Sequence, residues 1–215
     1  MIRAVAFDLD GVLLESEEVW DAVRERYVRE RGGRYDDEVQ RAMMGMSAPE
    51  WSAFLAEDAG VPGTPEQINA DVVDRMLEAY RDELPLLPNA VEVVGRIAAR
   101  FPLALASSNR AIFEEVLRLA EIADAFQATV SSEEVPRGKP APDVYLEAAR
   151  RLGVAAETCV AVEDSHSGIR SAHAAGMRVI AIPNASYPPD VEALALADVT
   201  LSSLTELSLV TLTSL

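Results

Sequence analysis

Four short runs of almost purely apolar residues, at 2–7, 103–106, 159–162 and 179–182, constrain this chain more than any other feature. A strand with one wet face alternates apolar and polar residues. These runs are apolar at nearly every position, as required when helices cover both faces of a parallel sheet. Helical stretches at 111–120, 143–152 and 168–175 lie between them, the last followed by Gly176, where a helix-ending glycine is favoured. Strand and helix in alternation predict an α/β fold with a Rossmann-like, doubly wound parallel sheet.

The segment 15–84 interrupts this alternation, because it holds no strand-like run and reads as helix throughout. Its first helix carries Val19, Val23 and Tyr27 on one side and Glu17, Asp21, Arg24 and Glu25 elsewhere, an amphipathic pattern at helical spacing. Turn clusters such as Arg31-Gly32-Gly33 and Gly60-Val61-Pro62-Gly63 punctuate it. Leu84-Pro85-Leu86-Leu87-Pro88-Asn89 then returns the chain to the sheet. The expected division is an α/β core of 1–14 and 85–215 with an inserted α-helical cap domain at 15–84. The apolar tail 201–215 is expected to dock on the core.

Charge excludes several partners. The 19 basic and 36 acidic residues give 19 − 36 = −17, which repels phosphate backbones and anionic headgroups, so neither nucleic acid nor a membrane surface is an expected partner. No apolar run reaches the roughly 20 residues needed to cross a bilayer. The first apolar stretch meets Asp8 and Asp10 too soon to read as a signal peptide. The single cysteine, Cys159, sits in an apolar run and reads as a small buried hydrophobe, in keeping with a reducing, cytoplasmic location.

Ligands of an open α/β sheet bind beyond the carboxyl ends of its strands. The first run ends in Asp8 and Asp10, the second in Ser107-Ser108-Asn109, a third-strand region in Arg137-Gly138-Lys139, and the next in Glu163-Asp164-Ser165. Carboxylates converging on one point repel each other unless a cation separates them, and all-oxygen donors favour a hard ion such as Mg²⁺. A carboxylate beside such an ion stays ionised, which suits Asp8 as nucleophile, while Asp10 in the turn can hold a proton for a leaving oxygen. Ser107, Ser108 and Asn109 precede a helix whose first amides can cradle a phosphate. Of the 19 basic residues 18 are arginine, and the one lysine, Lys139, supplies a compact ammonium where a planar guanidinium would not act identically.

These residues resemble the haloacid dehalogenase superfamily, and within it the β-phosphoglucomutase-like phosphatases with a helical cap. Asp8-Leu9-Asp10-Gly11-Val12-Leu13 is similar to motif one, Ser107 to motif two, Gly138-Lys139-Pro140-Ala141-Pro142-Asp143 to motif three, and Val162-Glu163-Asp164-Ser165 with Gly168 to motif four. The resemblance covers nearly the whole chain. It implies Asp8 as the phosphorylated nucleophile, Asp10 as general acid and base, Ser107 and Lys139 on the phosphoryl group, and Asp8, Asp10, Glu163 and Asp164 around Mg²⁺. The implied activity is hydrolysis of a small phosphorylated metabolite by a monomer or weak homo-oligomer.

A phosphosugar mutase and a non-catalytic phosphometabolite-binding protein are the alternatives. Mutases resembling this chain use a histidine in the first cap helix, where Trp20 stands here, and a basic residue after the Gly45-Met46-Ser47 turn, where Ala48 stands. Asp10 argues against dehalogenation, and the absence of a cap lysine argues against Schiff-base chemistry. Met43, Met44 and Met46 near Trp51 read as cap core, while Glu17 and Trp20 are open as substrate-selecting residues. His166 and His173 read as structural or surface residues, since two histidines without a third ligand rarely bind zinc. Arg110 and Arg137 read as exposed arginines.

Overall fold

The structure, a computed structural model, describes residues 1–43, 46–184 and 188–215. The chain divides into two compact units, Met1–Glu15 with Pro85–Leu215, and Ser16–Leu84. The first unit opens with β1 (Ala4–Phe7). The second holds α1 (Glu17–Glu30), α2 (Asp37–Met43), α3 (Ala48–Glu57) and α4 (Pro65–Asp82). The first unit then resumes with α5 (Ala90–Ala98), β2 (Leu103–Ser107), α6 (Arg110–Leu119), β3 (Phe126–Ser131) and α7 (Asp143–Leu152). It ends with β4 (Cys159–Glu163), α8 (His166–Ala174), β5 (Arg178–Ala181), α9 (Val191–Leu194), β6 (Val199–Thr200) and α10 (Leu209–Thr213).

The strands form one sheet in the order β3-β2-β1-β4-β5-β6, with every pairing parallel. The chain starts at the centre, builds outward to β3, crosses back beside β1 and builds outward to β6, which is the doubly wound arrangement. Every residue of β1, β2 and β4 is buried, which accounts for their lack of alternation. Small side chains on these strands, Ala4, Ala6, Ala104, Ala106 and Ala161, share one buried cluster with Tyr145 and Ala148 of α7 and Ile169 and Ala172 of α8. Cys159 is buried in that cluster, and burial pushes its thiol up to about 11, so it is inert at neutral pH.

Two strands exceed the four expected from the apolar runs. β3 lies at the sheet edge, where buried Phe126, Ala128 and Val130 alternate with exposed Gln127 and half-buried Thr129. A search for unbroken apolar runs passes over such a strand. β6 has two residues, too few to carry a periodicity. Arg137-Gly138-Lys139 therefore belongs to no strand: it lies beyond the short turn Ser132–Glu134 that follows β3, in the loop leading to α7. Gly176 ends α8 as expected, with φ 80° and its amide donating to the His173 carbonyl at 2.9 Å. The tail buries Leu204, Leu207 and Leu212, and Arg96 of α5 donates to the Leu207 carbonyl at 2.8 Å.

The unit Ser16–Leu84 has no strand among its described residues. Tyr27, Val39, Trp51, Leu55, Ile68, Val72, Met76 and Tyr80 are buried. Val19 and Val23 are only half-buried, so the apolar face of α1 is anchored at its far end, by Tyr27 and Val28. Thr64-Pro65-Glu66-Gln67 starts α4 with a capping box, in which Thr64 accepts from the Gln67 amide and Gln67 accepts from the Thr64 amide. Met43 is buried and Met46 half-buried; Met44 and Gly45 lie outside the described residues. The Trp20 and Trp51 rings meet edge-on at 6.4 Å, with the Arg24 guanidinium 4.8 and 4.9 Å from their centroids.

Leu105 sits fully buried in β2, between β1 and β3. Leu105→Ala is expected to cost about 2–5 kcal/mol of stability, measured as a lower urea midpoint with an unchanged slope.

Candidate active site

Strand order brings the functional side chains together. β1 lies between β2 and β4, so Asp8, one residue past β1, has Ser107 at the end of β2 on one side and Glu163 at the end of β4 on the other. The Asp8 amide donates to the Val162 carbonyl at 3.0 Å, extending the ladder by one residue. Asp8, Glu163 and Asp164 are buried and offer carboxylate oxygens within 4.8 Å of one another, the one such group among the described residues. Lys139 reaches in from its loop. Its ammonium donates to Asp8 Oδ1 and Glu163 Oε1, both at 2.6 Å, and to the Ala106 carbonyl at 3.1 Å.

Two glycines make room for this convergence. A Cβ built on Gly11 would overlap the Asp164 carboxylate, and Gly11 also takes φ 73°, which side chains disfavour. A Cβ on Gly168, in α8, would overlap the Glu163 carboxylate. Ser165 caps α8, accepting from the Gly168 amide at 3.2 Å and donating its hydroxyl to Glu163 Oε2 at 3.2 Å. Tyr145, in the first turn of α7, donates its hydroxyl to Glu163 Oε1 at 2.6 Å.

Burial pushes the Asp8 carboxyl up to about 7 against the pull of Lys139, with Glu163 and Asp10 adding repulsion. Burial also weakens the Lys139 ammonium, but the Asp8 and Glu163 carboxylates outweigh it and hold this group above the usual lysine range. Three buried carboxylates against one ammonium leave an excess of negative charge in oxygen donors only. That donor set fits a hard divalent cation.

The remaining candidates are placed as follows. Asp10 is half-buried in the turn after β1, outside the group of three carboxylates that could share an ion. Ser107 is buried and Ser108 exposed. Asn109 caps α6: its Oδ1 accepts from the Ile112 amide and its Nδ2 donates to Glu133, which also accepts from the Arg110 amide at 3.0 Å. The first turn of α6 is thus partly occupied by the chain's own carboxylate. Arg110 pairs with Glu114 and Glu134, and Arg137 with Asp143, as surface ion pairs. His166 and His173 are exposed and outside the carboxylate group. Tyr145 and Glu133 were not singled out from the sequence. No local pattern signals either contact: the capping box of Ser131-Ser132-Glu133-Glu134 engages Glu134, while Glu133 turns to Asn109 and Arg110.

Residues 2–176 match the family of haloacid dehalogenase-like hydrolases. Hexitol phosphatase B of Escherichia coli (strain K12) is 35% identical over 214 residues, covering 96% of this chain and 95% of that protein. The bifunctional riboflavin kinase/FMN phosphatase of Arabidopsis thaliana is 32% identical over 208 residues, 95% of this chain, and the chain spans 54% of that longer protein. The crystal structure of CbbY from Rhodobacter sphaeroides in complex with phosphate matches with a TM-score of 0.87 at 30% identity, over 99% of this chain and all of that one.

Two outcomes follow from the geometry. A divalent cation needs Asp8 ionised, and Asp8 holds a proton below about pH 7. Apparent cation affinity should therefore weaken by about tenfold per pH unit below that point and level off above it, with a proton released on binding at low pH, as read by calorimetric titration in several buffers. Gly168→Ala, which forces the Glu163 carboxylate aside, is expected to cost about 1–3 kcal/mol and to shrink the thermal stabilisation that the cation confers, measured by melting with and without it.

Proposed function

The chain belongs to the haloacid dehalogenase-like hydrolases, and on that premise we propose how it works and on what class of substrate. It is a phosphomonoester hydrolase. The observation that carries the reading is the buried meeting of Asp8, Glu163 and Asp164 with the ammonium of Lys139 at the carboxyl ends of β1 and β4. The substrate class is a small phosphorylated metabolite of sugar or polyol type, supported by the likeness to hexitol phosphatase B and to a CbbY that binds phosphate.

Asp8, Glu163 and Asp164 would hold Mg²⁺, which would neutralise the converging carboxylates and the charge building up on the phosphoryl oxygens. An Asp8 oxygen attacks phosphorus, and the bond to the leaving oxygen breaks as Asp10 delivers its proton there. Water then attacks the phosphorus of phospho-Asp8 while Asp10 takes the proton back, and inorganic phosphate departs with Asp8 restored. Ser107 and the Ser108-Asn109 turn at the start of α6 bind the phosphoryl oxygens, and Lys139 compensates their charge. Substrate selection is assigned to the helical domain 15–84, with Glu17 and Trp20 of α1 as candidates. The reaction is placed in the cytoplasm, on a monomer or weak homo-oligomer; no described helix is long and apolar enough to cross a membrane. A phosphosugar mutase is the weaker reading, because Trp20, packed on Trp51, offers no proton-transferring base.

Phosphate release from a panel of sugar and polyol phosphates should require Mg²⁺ and fall by at least about a thousandfold in Asp8→Asn, since removing a covalent nucleophile leaves only binding and electrostatic contributions. Release that persists in Asp8→Asn would overturn the mechanism.

A further inference from the structure

Tyr145 lies in the first turn of α7, fully buried among Ala4, Ala6, Ala104, Ala106 and Ala148. A phenol in such a setting must find an acceptor for its hydroxyl. The acceptor is Glu163 Oε1, at 2.6 Å, the same oxygen that accepts from Lys139 at 2.6 Å. The other oxygen, Oε2, accepts from the Asp164 amide and the Ser165 hydroxyl, both at 3.2 Å. Glu163 is thus held by donors on both oxygens, and Lys139 is divided between it and Asp8. The Lys139 ammonium also lies 5.1 Å from the centre of the Tyr145 ring.

We propose that Tyr145 is a positioning residue: by donating to Glu163 Oε1 it holds that carboxylate in place and keeps it from drawing Lys139 away from Asp8. The hydroxyl touches no reacting atom. It acts through Glu163 on the one ammonium in the site, and its loss leaves Glu163 short of one donor that Lys139 then has to replace. The catalytic consequence rests on the phosphatase reading above; the contact itself does not.

The experiment is Tyr145→Phe, which keeps the ring and removes only the hydroxyl, compared with Glu163→Gln and the double variant in saturating Mg²⁺. Tyr145→Phe is expected to lower kcat by about tenfold with KM within about twofold, the scale of one lost hydrogen bond to a charged group. In the Glu163→Gln background the same change should cost less than about threefold, because a residue acting through Glu163 has little left to act on. A second readout needs no turnover. Lys139 is the only lysine in the chain, so protein labelled with ¹³C,¹⁵N-lysine reports a single side chain, whose resonance should shift in Tyr145→Phe. An unchanged kcat, an equal loss in both backgrounds, or an unmoved Lys139 resonance overturns the proposal. Should the wild-type protein release no phosphate, the phosphatase reading falls and the Lys139 resonance alone decides whether Tyr145 governs the ammonium.

Discussion

The fold's most demanding constraint is the sharing of one ammonium, that of Lys139, among carboxylates buried at the carboxyl ends of β1 and β4. Removing charged groups from water is costly, and one lysine cannot balance Asp8, Glu163 and Asp164. That excess of oxygen donors is what suits the site to a hard cation. The choice of lysine follows from the same geometry. A compact ammonium donates at once to Asp8, Glu163 and the Ala106 carbonyl, with three donors that are not confined to one plane as those of a guanidinium are. In a chain that uses arginine at every other basic position, this is the one place where shape outweighs that preference.

The rest of the α/β unit serves to hold these groups in place. Parallel pairing of β1 with β2 and β4 puts three strand ends side by side, and the burial of every residue in those strands leaves little freedom for them to shift. Gly11 and Gly168 allow backbone to pass where carboxylates must lie. Ser165 both starts α8 and steadies Glu163, so one hydroxyl serves the helix and the site together. Opposite, α7 delivers Tyr145 to the same carboxylate. The negative charge that favours a metal is thus surrounded by donors that set its orientation before any ligand arrives.

The sheet and the principal site residues were legible in the sequence because both depend on local information. Unbroken apolar runs follow from burial on two faces, and the residues just past them stand at strand ends whatever the helices between them do. Asp8, Ser107, Glu163 and Asp164 were found in that way. β3 escaped because an edge strand with a wet side alternates, and β6 because two residues carry no period. Lys139 was recognised by its residue type, while its position in a loop after β3, outside any strand, became visible only in the fold.

By itself, then, the sequence determined the class of fold and marked 15–84 as helical and Asp8, Asp10, Glu163, Asp164 and Lys139 as candidates for one site, since these are written in local residue type and periodicity; the fold gathers Asp8, Glu163, Asp164 and Lys139 and leaves Asp10 outside that group. Tertiary structure alone decided that the Tyr145 hydroxyl, which any core tyrosine could have pointed elsewhere, meets Glu163 across 18 positions of chain. It likewise decided that Glu133 captures the Arg110 amide 23 residues away. The physical reason is the same in both cases. A buried donor or a helix-terminal amide must be satisfied, but its partner is whichever acceptor the packing brings within reach, and no local pattern records that choice.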